Sequence, residues 1–307
     1  MNFGKVFNLT LLLAAVLIMA SLSGYFSERV GIANISIDGQ MIFSALTFCI
    51  FSELSYSKLS DYGFIIPMLL AMIFTLIASS LFAFLTINLK TDQIVAGTAI
   101  NMTFLGLATF LTGPLGQLLS NGLHTKLQSG FLPFGEILNS QVYASTLIIF
   151  IIVLAILCGL FMMMKFTPFG LRLRAIGNNP NAVDAQGINV IKYQWFSLSI
   201  SGLLAGLAGA IYIYSIGGSF IGNVNGFGFL ALAILIAGSW KIPFLTLMAI
   251  FFAFLTELFN DLTITANMDQ DIAKVIPYGI TLVAMILFSK YNVAPKNIGI
   301  PFDKSKR

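Results

Sequence analysis

Phe169-Gly-Leu-Arg-Leu-Arg-Ala-Ile-Gly-Asn-Asn-Pro-Asn-Ala-Val-Asp-Ala-Gln-Gly-Ile-Asn-Val190 is a polar island between two apolar blocks. The block before it ends in Phe161-Met-Met-Met164, and the block after it opens on Trp195-Phe-Ser-Leu-Ser-Ile200. Across the 307-residue chain 58% of residues are hydrophobic and only 9% are charged, where a soluble domain carries about 25% charged residues. So few charges cannot keep a surface wet. The flanking blocks therefore read as membrane spans, and the island as one of the few places where the chain meets water. No polar block is long enough to fold alone, so residues 1–307 form a single transmembrane domain in this reading.

A helix needs about 20 apolar residues to cross the hydrocarbon core. Candidate spans lie at roughly 6–23, 41–52, 63–87, 94–112, 142–164, 195–214, 227–240, 243–260 and 272–289. The expected fold is an all-α polytopic membrane protein with about 8–10 transmembrane segments. Lys5 followed by apolar residues 6–22 imitates a signal peptide, but the next segment is also membrane-like, so 6–22 reads as a retained first span. Two candidates, 41–52 and 227–240, are short for a crossing. Each follows a stretch rich in Gly, Asn and Ser, Gly31-Ile-Ala-Asn-Ile-Ser-Ile-Asp-Gly39 and Gly217-Gly-Ser-Phe-Ile-Gly-Asn-Val-Asn-Gly226. Such interruptions at matching places point to an internal repeat with broken helices, residues 24–112 answering to 195–289. In span 195–214, Gly202, Gly206 and Ala210 form one stripe, and Ser197, Ser201, Ala205 and Gly209 another. Small residues at this spacing let backbones approach in lipid, without naming the partner helix.

Lys and Arg in short loops set orientation. Segment 165–192 carries Lys165, Arg172, Arg174 and Lys192 against Asp184, and the tail 290–307 carries Lys290, Lys296, Lys304, Lys306 and Arg307 against Asp303. Segment 257–274 carries Glu257, Asp261, Asp269 and Asp271 against Lys274. Alternation backwards from the tail places 290–307, Lys241, 165–192 and Lys90 in the cytoplasm, and 113–140 and 257–274 outside. The chain is expected to be a multi-pass protein of the cell membrane. Residues 24–40 form either a simple loop or a re-entrant segment, and re-entrant backbone has to be surrounded by protein or line a cavity.

No engine is legible. There is no G-x-x-x-x-G-K-[ST] phosphate loop, so nothing here cradles ATP, and no cofactor is expected on the chain. His124 is the single histidine, which leaves no His-based metal cluster. Cys49 and Cys158 lie in apolar runs and read as small core residues. The net charge of +4 is scattered over loops and gives no case for nucleic acid. Glu257 and Asp261 share a helical face at a span's end and read as a solvated rim. Charges near membrane depth are costly and more informative. Glu28, Arg29 and Asp38 flank the first Gly/Asn stretch, Lys90, Asp92 and Gln93 open span 94–112, and Asn223 and Asn225 sit in the second stretch. They line a polar pathway between broken-helix ends, or they make ordinary caps and turns.

In the island, Pro168 and Gly170 are expected to end the preceding helix, with Gly177 and Asn178-Asn-Pro-Asn181 as turn chemistry. After Pro180, residues Asn181 to Gln186 suit a short helix stopped by Gly187. Two roles are open: a basic loop facing anionic lipid, or a docking helix for a separate cytoplasmic subunit.

The stretch Gly170-Leu-Arg-Leu-Arg-Ala-Ile-Gly-Asn-Asn-Pro-Asn-Ala182, continued by Gly187-Ile-Asn-Val190, resembles the cytoplasmic loop of ABC-importer permeases for branched-chain amino acids, ribose-type sugars and nucleosides. Ser201-Gly-Leu-Leu-Ala-Gly-Leu-Ala-Gly209 and Gly226-Phe-Gly-Phe-Leu-Ala-Leu-Ala-Ile-Leu-Ile-Ala-Gly238 resemble the same family's following spans. Phe26-Ser-Glu-Arg-Val-Gly-Ile-Ala-Asn-Ile-Ser-Ile-Asp-Gly39 and Asp92-Gln-Ile-Val-Ala-Gly-Thr-Ala-Ile-Asn101 are most similar to the nucleoside branch. The chain departs from that pattern at Ser36, Asp38, Asn178 and Val183, where the family usually carries Gly, Glu, an acid and Ala. The resemblance implies a membrane subunit paired with a related second permease, an external substrate-binding lipoprotein, and a cytoplasmic ATPase that holds ATP and Mg. It makes residues 165–194 a coupling loop, with Gly170, Arg172, Arg174, Gly177, Asn179, Pro180, Ala182 and Gly187 as candidate ATPase-coupling residues. Asn34, Asp38, Asp92, Gln93, Asn101, Asn223 and Asn225 are the candidate pathway lining. Simple-sugar or branched-chain amino acid import is the alternative within the family, and an ion-driven carrier the alternative outside it.

Overall fold

The computed structural model describes residues 3–56, 65–113, 136–137, 142–216, 220–265, 279–280, 283 and 294–303. The main helices are α1 (Phe3–Glu28), α2 (Ile37–Tyr56), α3 (Ile65–Ala83, continued by a π turn over Phe84–Asn88), α4 (Gln93–Thr112) and α5 (Ala144–Phe166). They are followed by α6 (Pro168–Asn178), α7 (Pro180–Ala185), α8 (Val190–Ile216), α9 (Phe227–Ala237) and α10 (Ile242–Thr265). A two-residue antiparallel pair, Glu136–Ile137 with Val142–Tyr143, precedes α5. Six of the described helices are long and apolar enough to cross a membrane, and the apolar parts of α2 and α9 are shorter. The chain is an all-α polytopic membrane protein.

Burial sorts the spans into a core and a shell. The spans of α1 and α8 are 83% and 78% buried, against 17–33% for those of α3, α4, α5 and α10. A helix that is apolar all round is buried all round, and in α1 the run Ala14–Ala20 is at most 1% exposed. α8 reaches the centre through its two small-residue stripes, and the structure names their partners. Gly202 lies against Ser79 of α3, and a methyl group on Gly206 would stand 2.9 Å from Met72 Cα. On the other stripe Ser201 shares a 2.8 Å hydrogen bond with Ser23 of α1, Ser197 donates to Phe26 O at 2.6 Å, and Gly209 rests on Met41 of α2.

Several boundaries differ from the sequence reading. α1 continues past residue 23 to Glu28, whose buried carboxylate accepts from the Trp240 indole N–H. α2 begins at Ile37 and runs 20 residues. The preceding helix ends at Phe166, two residues before Pro168, and Pro168 also starts the next: Thr167 caps α6 by accepting from Gly170 N at 3.3 Å, and proline suits the first helical position, so Gly170 lies inside a helix. Gly177 and Asn178 accordingly belong to α6 and not to a turn. Gly170 is needed where α6 folds back, since a side chain there would strike the Met164 backbone. The expected span 272–289, apart from 279–280 and 283, lies outside the described residues. So do His124, Asp269, Asp271, Lys274, Lys290, Lys304, Lys306 and Arg307.

The described part of the tail, 294–303, is packed. Asn297 N donates to Gly177 O at 2.9 Å, Gly299 N to Gly31 O at 3.1 Å, and Asp303 pairs with Lys90 at 2.7 Å. One short segment therefore ties α6, the α1–α2 connection and the α3–α4 turn together.

Candidate functional site

Between α1 and α2 the backbone leaves helical geometry while buried, with Asn34 and Ser36 both fully inaccessible. Buried backbone polar groups need partners, and neighbouring helices supply them. Gln194 Nε2 of α8 donates to Val30 O at 3.3 Å, and Gln93 Oε1 of α4 accepts from Ala33 N at 2.6 Å. Asn34 Nδ2 donates to Ser201 Oγ at 3.1 Å, while its Oδ1 accepts from Ser36 N and Oγ. Asn101, near the middle of the 20-residue α4, donates to Ile35 O at 2.9 Å and accepts from Gly39 N at 2.7 Å. The non-helical backbone here is enclosed by protein, the surroundings that a re-entrant segment requires.

The second break precedes α9. Asn225 and Gly226 both take left-handed backbone, with φ of 51° and 72°. Asn223 Oδ1 accepts from Asn225 N at 3.2 Å, and Asn225 Nδ2 donates to Tyr212 OH at 3.0 Å. The two breaks meet. Asp38 Oδ1, in the first turn of α2, accepts from Gly228 N, in the first turn of α9, at 2.9 Å. From that junction α2 runs with α4, as the stacked pair Phe43 and Phe104 shows, 4.5 Å between ring centroids. α9 runs the other way, to Trp240 beside Glu28 and Arg29 at the end of α1. Two helix N-termini, each a partial positive charge, converge on one carboxyl group.

The island forms a helix pair across the end of the bundle. Leu173, Ile176, Gly177, Pro180 and Val183 face inward, and Arg172, Asn178, Asn179, Asn181 and Ala182 face outward. Asn179 caps α7 by accepting from Ala182 N at 3.1 Å, and Gly187 turns the chain with φ of 79°. Arg172 is held over Tyr193 of α8 and donates to its hydroxyl at 2.5 Å. Gly177 lies on the Arg29 carbonyl with no room for a side chain, so α6 touches the backbone that leads from α1 into the first break.

Residues 7–285 match the family described as branched-chain amino acid transport system / permease component. The chain belongs to that family. The permease is 35% identical over 311 residues to the guanosine ABC transporter permease protein NupQ of Bacillus subtilis, covering 97% of this chain and 96% of that protein. It is 33% identical over 314 residues to the nucleoside ABC transporter permease protein NupC of Lactococcus lactis, covering 96% of each. A second Lactococcus lactis protein, the nucleoside ABC transporter permease protein NupB, is 26% identical over 234 residues, covering 72% of this chain and 63% of that protein. No solved structure matches the permease.

Of the residues singled out from sequence, the permease gathers Asn34, Asp38, Gln93 and Asn101 around the first break, all less than 9% exposed. Asn223 and Asn225 stand at the second. Asp92 is apart from both: exposed, it caps α4 by accepting from Ile94 N and Val95 N at 2.8 and 3.0 Å. Among the island residues, Gly170, Gly177 and Pro180 are buried, Arg174 is half-buried, and Arg172, Asn179, Ala182 and Gly187 are exposed. Gln194, Gly228 and Trp240 were not singled out. Gln194 lies just before the candidate span 195–214, at the polar edge of the island. Among the described residues no three His, Cys, Asp or Glu side chains gather as metal ligands.

Proposed function

We propose that the permease is the membrane subunit of an ATP-driven nucleoside importer. The observation that carries this reading is its similarity, over nearly the full length of both chains, to two permeases named for guanosine and nucleoside transport. A related second permease completes the pathway, an idea supported by the two distinct Lactococcus lactis relatives. A cytoplasmic ATPase binds ATP and Mg, and an external lipoprotein delivers the substrate. The outward face of α6 and α7 sits in a groove of that ATPase, through Arg172, Asn179 and Ala182. The inward face passes the motion on: Gly177 presses the Arg29 carbonyl, and the irregular stretch from Val30 to Ser36 leads to the Asp38–Gly228 junction. ATP binding favours one arrangement of these contacts and hydrolysis the other, since a ligand shifts an equilibrium only by its differential affinity for two states. Asn34, Asp38, Gln93, Asn101, Asn223 and Asn225 shape the pathway by holding its broken helices, and the island and the C-terminus face the cytoplasm.

The test is Ala182→Glu in the intact transporter. Co-purification of the ATPase and guanosine uptake should fall together, with the expression level unchanged. Uptake competed by ribose or leucine and not by nucleosides would reassign the substrate. Full uptake with A182E would remove the docking role.

A further inference from the structure

A cleft of about 360 Å³ opens where α1, α5, α6 and the start of α10 converge. Four cations line it, Arg29, Lys165, Arg174 and Lys241, and among the described residues no carboxylate does. None of the four is in an ion pair among the described residues. Arg29 is the most telling. Its guanidinium lies over Tyr25, 5.0 Å from the ring centroid, and donates to the Trp240 carbonyl, but its buried Nε has no partner among the described residues. An unpartnered buried donor on a charged group is costly and invites an acceptor. Lys165 Nζ lies over the rings of Phe161 and Phe166, and Lys241 Nζ over that of Phe244, so both ammonium groups sit at an aromatic rim of the cleft on long rotatable stems. Glu28, the acid behind this wall, is already engaged by the Trp240 indole.

We propose that this cleft binds the phosphate headgroup of an anionic phospholipid. The inference rests on the cytoplasmic placement of the island proposed above. Convergent cations without acids match a phosphate diester, for which arginine supplies paired donors and lysine mobile ones. Basic clefts between helices at the cytoplasmic interface meet a leaflet rich in such lipids. The walls beside the cleft suit acyl chains: Phe166 is 71% exposed and Phe244 56%, with Leu247 and Phe251 further along α10. A soluble acidic metabolite has no use for that apolar approach. Because Trp240 and Arg29 join the ends of α9 and α1, a lipid held here would clamp the cytoplasmic end of the second broken helix.

The purified full-length chain, delipidated in detergent, is titrated with phosphatidylglycerol and with phosphatidylcholine and read by native mass spectrometry. One phosphatidylglycerol should be retained and phosphatidylcholine not. The K165Q/K241Q variant should bind about 30-fold more weakly, the attraction of two lysines for an anionic surface, while K296Q, outside the cleft, should bind as the parent does. Equal retention of both lipids, or unchanged binding by K165Q/K241Q, would overturn the proposal. Displacement by millimolar inorganic phosphate would also overturn it and point to a free anion. Exclusion of the lipid once the ATPase is bound would do the same, and would point to an acidic protein loop. Sidedness is read separately, by labelling A182C in intact cells, so a failure of the import reading and a failure of lipid binding give different results.

Discussion

Gly228→Ala probes the junction of the two broken helices most directly. A methyl group there would overlap the Asp38 backbone and come within 2.7 Å of Asp38 Cβ. Carbon atoms settle at about 3.5–4.0 Å, so the helix ends must part by roughly 1 Å. The 2.9 Å bond from Gly228 N to Asp38 Oδ1 would then stretch to about 3.9 Å, beyond hydrogen-bond range. Loss of a bond to an acid costs about 1.5–3 kcal/mol, and overpacking a tight contact about 1–3 kcal/mol. The sum, roughly 2.5–6 kcal/mol, corresponds to a fall in Tm of about 5 °C or more. The assay is thermal unfolding of the purified chain in detergent, with nucleoside uptake measured in parallel. Gly106→Ala is the control: nothing lies within 4 Å of a side chain there, and alanine is the better helix former by about 1 kcal/mol. If G228A melts with G106A, the two helix starts are not in contact and the junction argued above does not exist.

Two further changes test the parts on either side. Asn101→Ala strips partners from Ile35 O and Gly39 N and should cost about 1–3 kcal/mol for each orphaned group. Asn101→Asp, which keeps the acceptor alone, should melt between N101A and the parent; equal stability of all three would show that the break is supported by something else. Gly177→Ala drives a methyl group into the Arg29 carbonyl and to 3.2 Å from Pro295 Cβ. Uptake should fall about ten-fold, equivalent to 1.36 kcal/mol and within the range of one overpacked contact, with helix content by circular dichroism unchanged. Parental uptake by G177A would mean that α6 does not act through that carbonyl.

The sequence by itself determined the solvent and the class of architecture. Apolar runs of spanning length leave no other place for these residues than lipid, and the Gly/Asn stretches before residues 41 and 227 announced two broken helices because glycine and asparagine are the residues that tolerate the required backbone. The small-residue stripes around Gly202 and Ser201 said that α8 packs closely. Which helices it packs against depended on three-dimensional placement: α3 through Gly202 and Gly206, α1 through Ser197 and Ser201. The same holds for the roles of the buried amides. Asn34, Gln93 and Asn101 stand out in the chain as polar groups in apolar surroundings, but only folding shows that they satisfy one stretch of unpaired backbone. The helix end before Pro168 was legible, but not the helix that starts there: a proline suits a stop and a start equally well, and the start was decided by the Thr167 cap. The Asp38–Gly228 bond joins residues 190 positions apart. Nothing local to either residue encodes that meeting, since it arises when two helices with opposite directions begin at the same depth and their unpaired amides need an acceptor.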